Sequence, residues 1–392
     1  MKRAIAVVLL GTLLLGLAGC GKQGAQPSDP ATATTAGPTE PSIPQNTMTG
    51  EELMQEMKIG WNLGNTFDAP DGETSWGMPM TTKEMIQAIK DMGFNTIRIP
   101  ISWHKHVSDA PEYTIDESWL KRVQTVVDHA MELDMFVIIN SHHDNEIYTP
   151  IPDNQETAVT YLTAIWAQIA THFRDYDYRL IFEGMNEPRV VGVSYEWNVN
   201  PQNKDCMASV EVVNVLNQAV VDAIRATGGR NTQRWLIVTP YVANSAAASL
   251  SAFRMPEDPA GKLILSIHAY TPYNLCLNTN SKVDTFTPGD QGEIKNLIRG
   301  LNRNFVSKGI PVIIGEMGCL NKGNDEARYE WAKYYISTAR ENGIVCCWWD
   351  NGVTTVASGT EGFGILNRRK LTVFDQSQRV LDGLMEGAEA AE

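Results

Sequence analysis

Eight short apolar runs recur along the chain, at residues 58–63, 96–100, 136–140, 180–184, 235–239, 263–267, 312–315 and 344–349, and most of them stop at a polar side chain. Runs of this length, bounded by turn-forming residues, predict buried β-strands. Between them the apolar spacing shifts to the helical period. Thr82 opens one helix, with Glu84, Met85, Ile86 and Ile89 following and Gly93 closing it, as helix start and stop signals require. Residues 118–133 set Leu120, Val123, Val127 and Ala130 on one face. Helices are also expected over 158–173, 210–226, 293–306 and 324–342, while the connection 241–253 carries the weakest helical signal.

Strands alternating with helices imply a parallel sheet covered by helices. Eight such units in roughly 345 residues predict an α/β fold closed into a (β/α)8 TIM barrel, a single catalytic domain over 47–390. An open doubly wound sheet is the competing architecture, but no glycine-rich phosphate turn follows the first run.

Before residue 47 the pattern is different. Lys2 and Arg3 precede an apolar stretch from Ala4 to Ala18, short for a membrane span, which reads as an export signal over 1–19. Leu17-Ala18-Gly19-Cys20 resembles a bacterial lipoprotein processing box, so Cys20 is expected to carry lipid as the first mature residue. Residues 20–46, rich in Pro, Thr, Ala, Gly, Ser and Gln, hold too little apolar surface to offset ordering entropy and read as a disordered tether. The expectation is a lipid-anchored monomer on the extracellular face of a bacterial membrane.

Composition narrows the function by exclusion. A net charge of −14 and a pI near 5.0 argue against a nucleic-acid partner, which needs a basic face to release counterions. Five cysteines remain after Cys20, at 206, 276, 319, 346 and 347, in no metal-binding or disulfide-framework spacing. A loop disulfide between Cys206 and Cys276 is conceivable in an exported protein, with free thiols the expected state.

In a barrel of this kind the active site lies at the carboxyl ends of the strands. Those ends carry Arg98, His142 and His143, Asn186 and Glu187, His268 and Tyr270, Glu316, and Trp349 with Asp350 and Asn351. Strand alternation would set Ile181, Glu183, Met185 and Glu187 on one face. It would do the same for Val312, Ile314 and Glu316, for Ile264, Ser266 and His268, and for Val345, Cys347 and Trp349. Glu183 then lies below the active-site layer and reads as a structural acid paired with Arg98. Two carboxylates on separate strand ends are the minimum equipment for glycoside hydrolysis. A neighbouring cation such as Arg98 can keep one of them ionised while the other stays protonated.

The motifs IGWNLGNTFDA (59–69), GFNTIRIPISW (93–103), VIINSHHD (137–144), LIFEGMNEP (180–188), LSIHAYTPY (265–273), PVIIGEMG (311–318) and CWWDNG (347–352) resemble, in order, those of glycoside hydrolase family 5 and its bacterial endo-β-1,4-glucanases. The resemblance spans about residues 48–384. It implies that Glu187 is the general acid/base and Glu316 the nucleophile, with Arg98 and Tyr270 bracing Glu316 and His268 beside Glu187. It further implies substrate contacts from Asn186, His142 and His143, a sugar platform at Trp349, and weaker contacts from Asn62, Asn65, Asp68 and Trp76. Asp350 and Asn351 would orient a loop or touch substrate. The family retains anomeric configuration and uses no cofactor or metal, so the expected partner is a β-glucan polysaccharide.

Three other readings compete. The same scaffold could act on xyloglucan, mixed-linkage glucan, mannan or xylan. A metal-dependent hydrolase could use His142, His143, His268 and Glu316, but the first run lacks the paired histidines such sites use. A non-catalytic sugar-capture lipoprotein would have no reason to keep both glutamates.

Overall fold

The computed structural model describes residues 46–355 and 359–390; the signal, Cys20 and nearly all of the tether lie outside the described residues. Eight parallel strands close into a barrel in sequence order: β1 (Gly60–Leu63), β2 (Thr96–Ile99), β3 (Phe136–Asn140), β4 (Leu180–Glu183), β5 (Leu236–Val238), β6 (Leu263–His268), β7 (Val312–Met317) and β8 (Ile344–Asp350). β8 returns to β1 with Asn62 opposite Trp349. This is the expected (β/α)8 barrel, with helices on the outside of the sheet.

The helices form where the sequence supplies caps. Thr82 accepts the Met85 N–H ahead of the helix Lys83–Asp91, and Asp116 caps Glu117–Glu132 through Ser118 and Trp119. Pro288 and a Thr287–Asp290 capping box start Pro288–Asn304 five residues earlier than the apolar pattern shows. The weak connection after β5 is a short turn, Tyr241–Ala243, and a six-residue helix, Ala247–Ala252.

The barrel interior is filled at its amino end by Ile138, Ile181, Ile237, Ile264, Ile313 and Val345, one from each of six strands. The helix Gly50–Glu56 presses Leu53 and Met54 onto this cluster and closes the bottom. Its Thr49–Glu52 capping box fixes where the chain enters.

Two details of strand alternation are corrected. On β7 it is Ile313 that faces the barrel axis, while Val312 and Ile314 pack in the larger cluster between sheet and helices. Glu316 still reaches the mouth because the register with β6 and β8 slips around Gly315. A β-carbon at Gly315 would sit 2.6 Å from Ser266 Oγ and 3.2 Å from His268 Nε2, so this turn of backbone needs glycine. On β4 the pairing ends at Glu183; Met185 packs outward beside Phe182, and Asn186 turns into the mouth although parity would turn it away.

Candidate active site

Arg98, from the carboxyl half of β2, organises the mouth of the barrel. Its Nε donates to Glu183 Oε2 (2.7 Å), Nη1 to Asn62 Oδ1 and Glu316 Oε1 (2.9 Å each), and Nη2 to Asn186 Oδ1 (2.8 Å). Burial disfavours a charge here, but Glu183 and Glu316 hold the guanidinium firmly protonated. Asn140 adds a bond to Glu183 (3.1 Å) and fixes the next loop by accepting from the Ile101 N–H (2.9 Å). Glu183 therefore pairs with Arg98, below the layer of the other two glutamates.

Glu316 accepts from Arg98 on one oxygen and from the Tyr270 hydroxyl on the other (3.1 Å). His268 Nδ1 lies 2.8 Å from Glu187 Oε1 and 3.6 Å from Glu316 Oε2. The nearest donor atoms of Glu187, His268 and Glu316 all fall within 4.8 Å of one another. The protein has thus brought two carboxylates from β4 and β7 into near contact, separated by an imidazole from β6. Arg98, Tyr270 and Arg189 already bond to these carboxylates, so the donor set suits carboxylate chemistry better than metal ligation.

The electrostatics of this trio run against the expected division, in which Arg98 keeps its carboxylate ionised while the other stays protonated. Burial would raise Glu187, yet the bond and charge of His268, followed by the charges of Arg189 and His143, bring it below the ordinary glutamate value. Burial would lower His268, and the charges of Glu316 and Glu187 more than reverse that. Both shifts favour the charged pair, a Glu187 carboxylate against a His268 imidazolium, across their 2.8 Å contact. Glu316 is raised, chiefly by burial and further by Glu187, with His268 and Arg98 opposing.

His142 is buried and neutral: burial, then the charges of His143 and Arg98, push it well below the usual histidine range. Its ring is held between the side-chain amides of Asn140 (3.1 Å) and Asn186 (3.3 Å) and lies parallel to Trp349, with centroids 5.8 Å apart. Trp349 stands at the mouth over Gly64, where a β-carbon would come within 2.9 Å of the indole. Trp348 turns to the helices, its Nε1 donating to the Phe363 carbonyl. His143 and the exposed Trp76 meet at the rim, ring centroids 5.8 Å apart.

Asn62 and Asp68, expected to touch substrate, and Asp350 and Asn351, expected to orient a loop or touch substrate, are all bonded into the scaffold. Asn62 is buried; its amide donates to the carbonyls of Gly315 (2.9 Å), Trp348 (3.2 Å) and Cys347 (3.4 Å), and its oxygen accepts from Arg98. Asp68 accepts the Asn65 and Thr66 N–H groups and shapes the first loop. Asp350 accepts from Trp61, Gly352, Ile365, Leu366 and Arg368, and Asn351 ties the last loop through Val353, Phe363 and Glu361. Each has its polar atoms committed to the scaffold, which leaves the loop-orienting role. The five cysteines among the described residues are free, and the thiol beside Cys276 belongs to Cys319; Cys206 packs with Tyr195 and Tyr241.

Sequence reasoning missed Arg189, Glu196 and Trp197. Arg189 Nη1 reaches Glu187 Oε2 (3.3 Å), its Nε reaches Glu196 Oε1 (3.3 Å), and its guanidinium lies 4.4 Å from the centroid of the exposed Trp197 ring. A cation two residues after a strand-end glutamate was the available signal.

With the geometry in hand, comparison with known proteins is specific. The family model described as cellulase (glycosyl hydrolase family 5) matches residues 62–354. Endoglucanase A of Ruminococcus albus is 45% identical over 349 residues, covering 86% of this chain and 92% of that protein. Among solved structures, a GH5-4 broad specificity endoglucanase from Ruminococcus champanellensis with bound cellotriose is 42% identical with a TM-score of 0.82, covering 87% of this chain and 99% of the other. A GH5 family lichenase from Caldicellulosiruptor sp. F32 is 42% identical with a TM-score of 0.83, covering 89% and 97%.

Proposed function

Because the chain belongs to glycoside hydrolase family 5, we propose that it is a retaining endo-β-1,4-glucanase acting on cellulose and related β-glucans. The observation that carries the retaining mechanism is the approach of the Glu187 and Glu316 oxygens to within 4.8 Å. Retaining pairs stand about 5–5.5 Å apart, whereas inverting pairs leave about 6.5–9.5 Å for a water. Glu316, oriented by Arg98 and Tyr270, attacks the sugar carbon. Glu187 protonates the departing oxygen, then takes a proton from the water that releases the glycosyl-enzyme. His268 keeps that proton 2.8 Å away until a substrate oxygen is in place to receive it. Trp349 supports the sugar at the cleavage point, and the remaining amide hydrogen of Asn186 faces a ring hydroxyl.

The breadth of the neighbours named as a broad specificity endoglucanase and a lichenase supports a glucan range that includes mixed-linkage glucan. Xyloglucan, mannan and xylan form the alternative. Activity on carboxymethylcellulose, barley glucan, xyloglucan, glucomannan and xylan decides between them, with viscosity falling ahead of reducing-end release if action is internal. Intact polysaccharide throughout would return the sugar-capture reading. The motif ending at Cys20 supports lipid anchoring at the extracellular face of a bacterial membrane, which the mass of the mature amino terminus tests.

A further inference from the structure

Arg189 is the cation that the catalytic pair does not explain. It leaves β4 two residues after Glu187 on a loop pinned by four contacts: the Val242 N–H to the Pro188 carbonyl (2.9 Å), the Val190 N–H to the Tyr241 hydroxyl (3.0 Å), the Gly192 N–H to Glu196 (2.8 Å) and the Asn244 amide to the Trp197 carbonyl (2.8 Å). The loop is therefore built and anchored. Within it the guanidinium is divided between the Glu196 carboxylate, reached by Nε, and Glu187, whose carboxylate and main-chain carbonyl share Nη1, all at a long 3.3 Å and with side chains only 15–18% exposed, while Trp197 takes its face. The backbone bond keeps the cation beside Glu187, while its charge is shared with a second carboxylate.

We propose that Arg189 is a positioning residue for the reaction: it sets how readily Glu187 accepts the proton held by His268, and Glu196 and Trp197 set how strongly Arg189 does so. The proposal rests on Glu187 as the acid/base. A free cation at contact distance would hold Glu187 as a carboxylate and stall the first step; no cation would leave it protonated when the second step needs a base. Sharing Arg189 with Glu196 gives an intermediate strength. Glu187 is also faced by His268 of β6, Glu316 of β7, His143 after β3, Tyr270 after β6 and Glu361 after β8; Arg189 also lies near His142 and Tyr148. None of these changes in the variants below.

The test uses substitutions of opposite expected sign in the full chain. Carbon-detected NMR titration of the Glu187 carboxyl, assigned by its loss in Glu187→Gln, should shift upward by about one pH unit in Arg189→Gln. It should shift downward in Glu196→Gln, which releases Arg189 to Glu187, and stay near wild type in Arg189→Lys. The alkaline limb of kcat/KM on barley glucan should move in the same two directions. Titrations that stay put, or move together in both variants, overturn the proposal, because a merely structural disturbance of the loop carries no such sign. Opposed titrations with an unmoved limb would overturn Glu187 as acid/base and leave the hold of Arg189 on it standing.

Discussion

The two ends of the barrel are built on the same strands and solve opposite problems. At the amino end the axis is filled by Ile138, Ile181, Ile264 and Ile313; further along the same strands stand Asn140, Glu183, Ser266, His268 and Glu316. Both layers are largely buried. In the lower one, closing the space is itself the gain, since each aliphatic side chain leaves water and finds contacts. In the upper one, burial removes hydration from charges, and partners such as the four acceptors of Arg98 restore only about what was lost. Stability therefore comes from below, and the upper network is kept for the chemistry it positions.

Substitutions can break this contrast. Glu316→Ala should show the largest effect: hydrolysis of polysaccharide should fall by more than the roughly 10²–10⁴-fold expected for loss of proton transfer in Glu187→Ala. Its melting temperature should not drop, because a buried acid already raised by desolvation is removed while Arg98 keeps Glu183. Substantial residual turnover would sink the nucleophile assignment. Arg98→Met comes next, with a loss of about 3–5 kcal/mol in denaturant unfolding from two carboxylates left without their cation. A cost under about 1 kcal/mol would mean that the network is not electrostatically strained. Ile313→Ala, at the other end, should cost about 2–5 kcal/mol yet leave kcat/KM of the folded protein unchanged. A matching loss of activity would show that the two layers are coupled.

Gly315→Ala probes the seam between them. The new methyl would meet Ser266 and His268, so about 1–3 kcal/mol of overpacking should be relieved by moving the imidazole away from Glu187. Activity should fall more than stability, with the alkaline limb displaced. Equal activity at wild-type pH dependence would mean that the proton on His268 is not used.

How much of each end could be read in advance follows from the same contrast. The lower layer was legible because an apolar run of strand length means burial whatever its neighbours are, and all eight strands lie where their runs do. The glutamates, Arg98 and His268 were legible because charge at the end of an apolar run has few structural uses. Alternation failed on β7 because a register slip at Gly315 leaves no apolar signature; it failed at Met185 because β4 had already ended. The role of Asn62 was not legible, and the choice between the two roles of Asp350 and Asn351 stayed open, because the sequence shows that an amide or carboxylate is present, not which carbonyls and N–H groups are near enough to engage it. Arg189 was passed over because a loop cation is ordinarily solvent-facing, and only the fold returns this one to the acid.

The smallest expected effect separates the ends by titration. The lower cluster is built of aliphatic, aromatic and sulfur side chains, whereas the mouth holds Asp68, which burial raises to about 6 against the pull of the Asn65 and Thr66 N–H groups and Arg368. An acid with a folded pKa above its unfolded value of 3.8 binds its proton more tightly when folded, so its cost to stability is absent below pH 3.8 and complete above about 6. His268, raised on folding, adds stability below 6.5 that is lost as pH rises through its folded value; Glu187, lowered on folding, adds stability above 4.5 that is lost toward acid. Between pH 5 and 7.5 Asp68 and His268 act together while His142, lowered on folding, opposes them below 6.5; the Asp68 part alone is a downward slope of about 1–2 kcal/mol, a few degrees in melting temperature. Asp68→Asn should flatten that slope, and Ile313→Ala should shift the whole curve down without changing it. A slope altered by Ile313→Ala but not by Asp68→Asn would reverse the assignment of the pH response to the mouth.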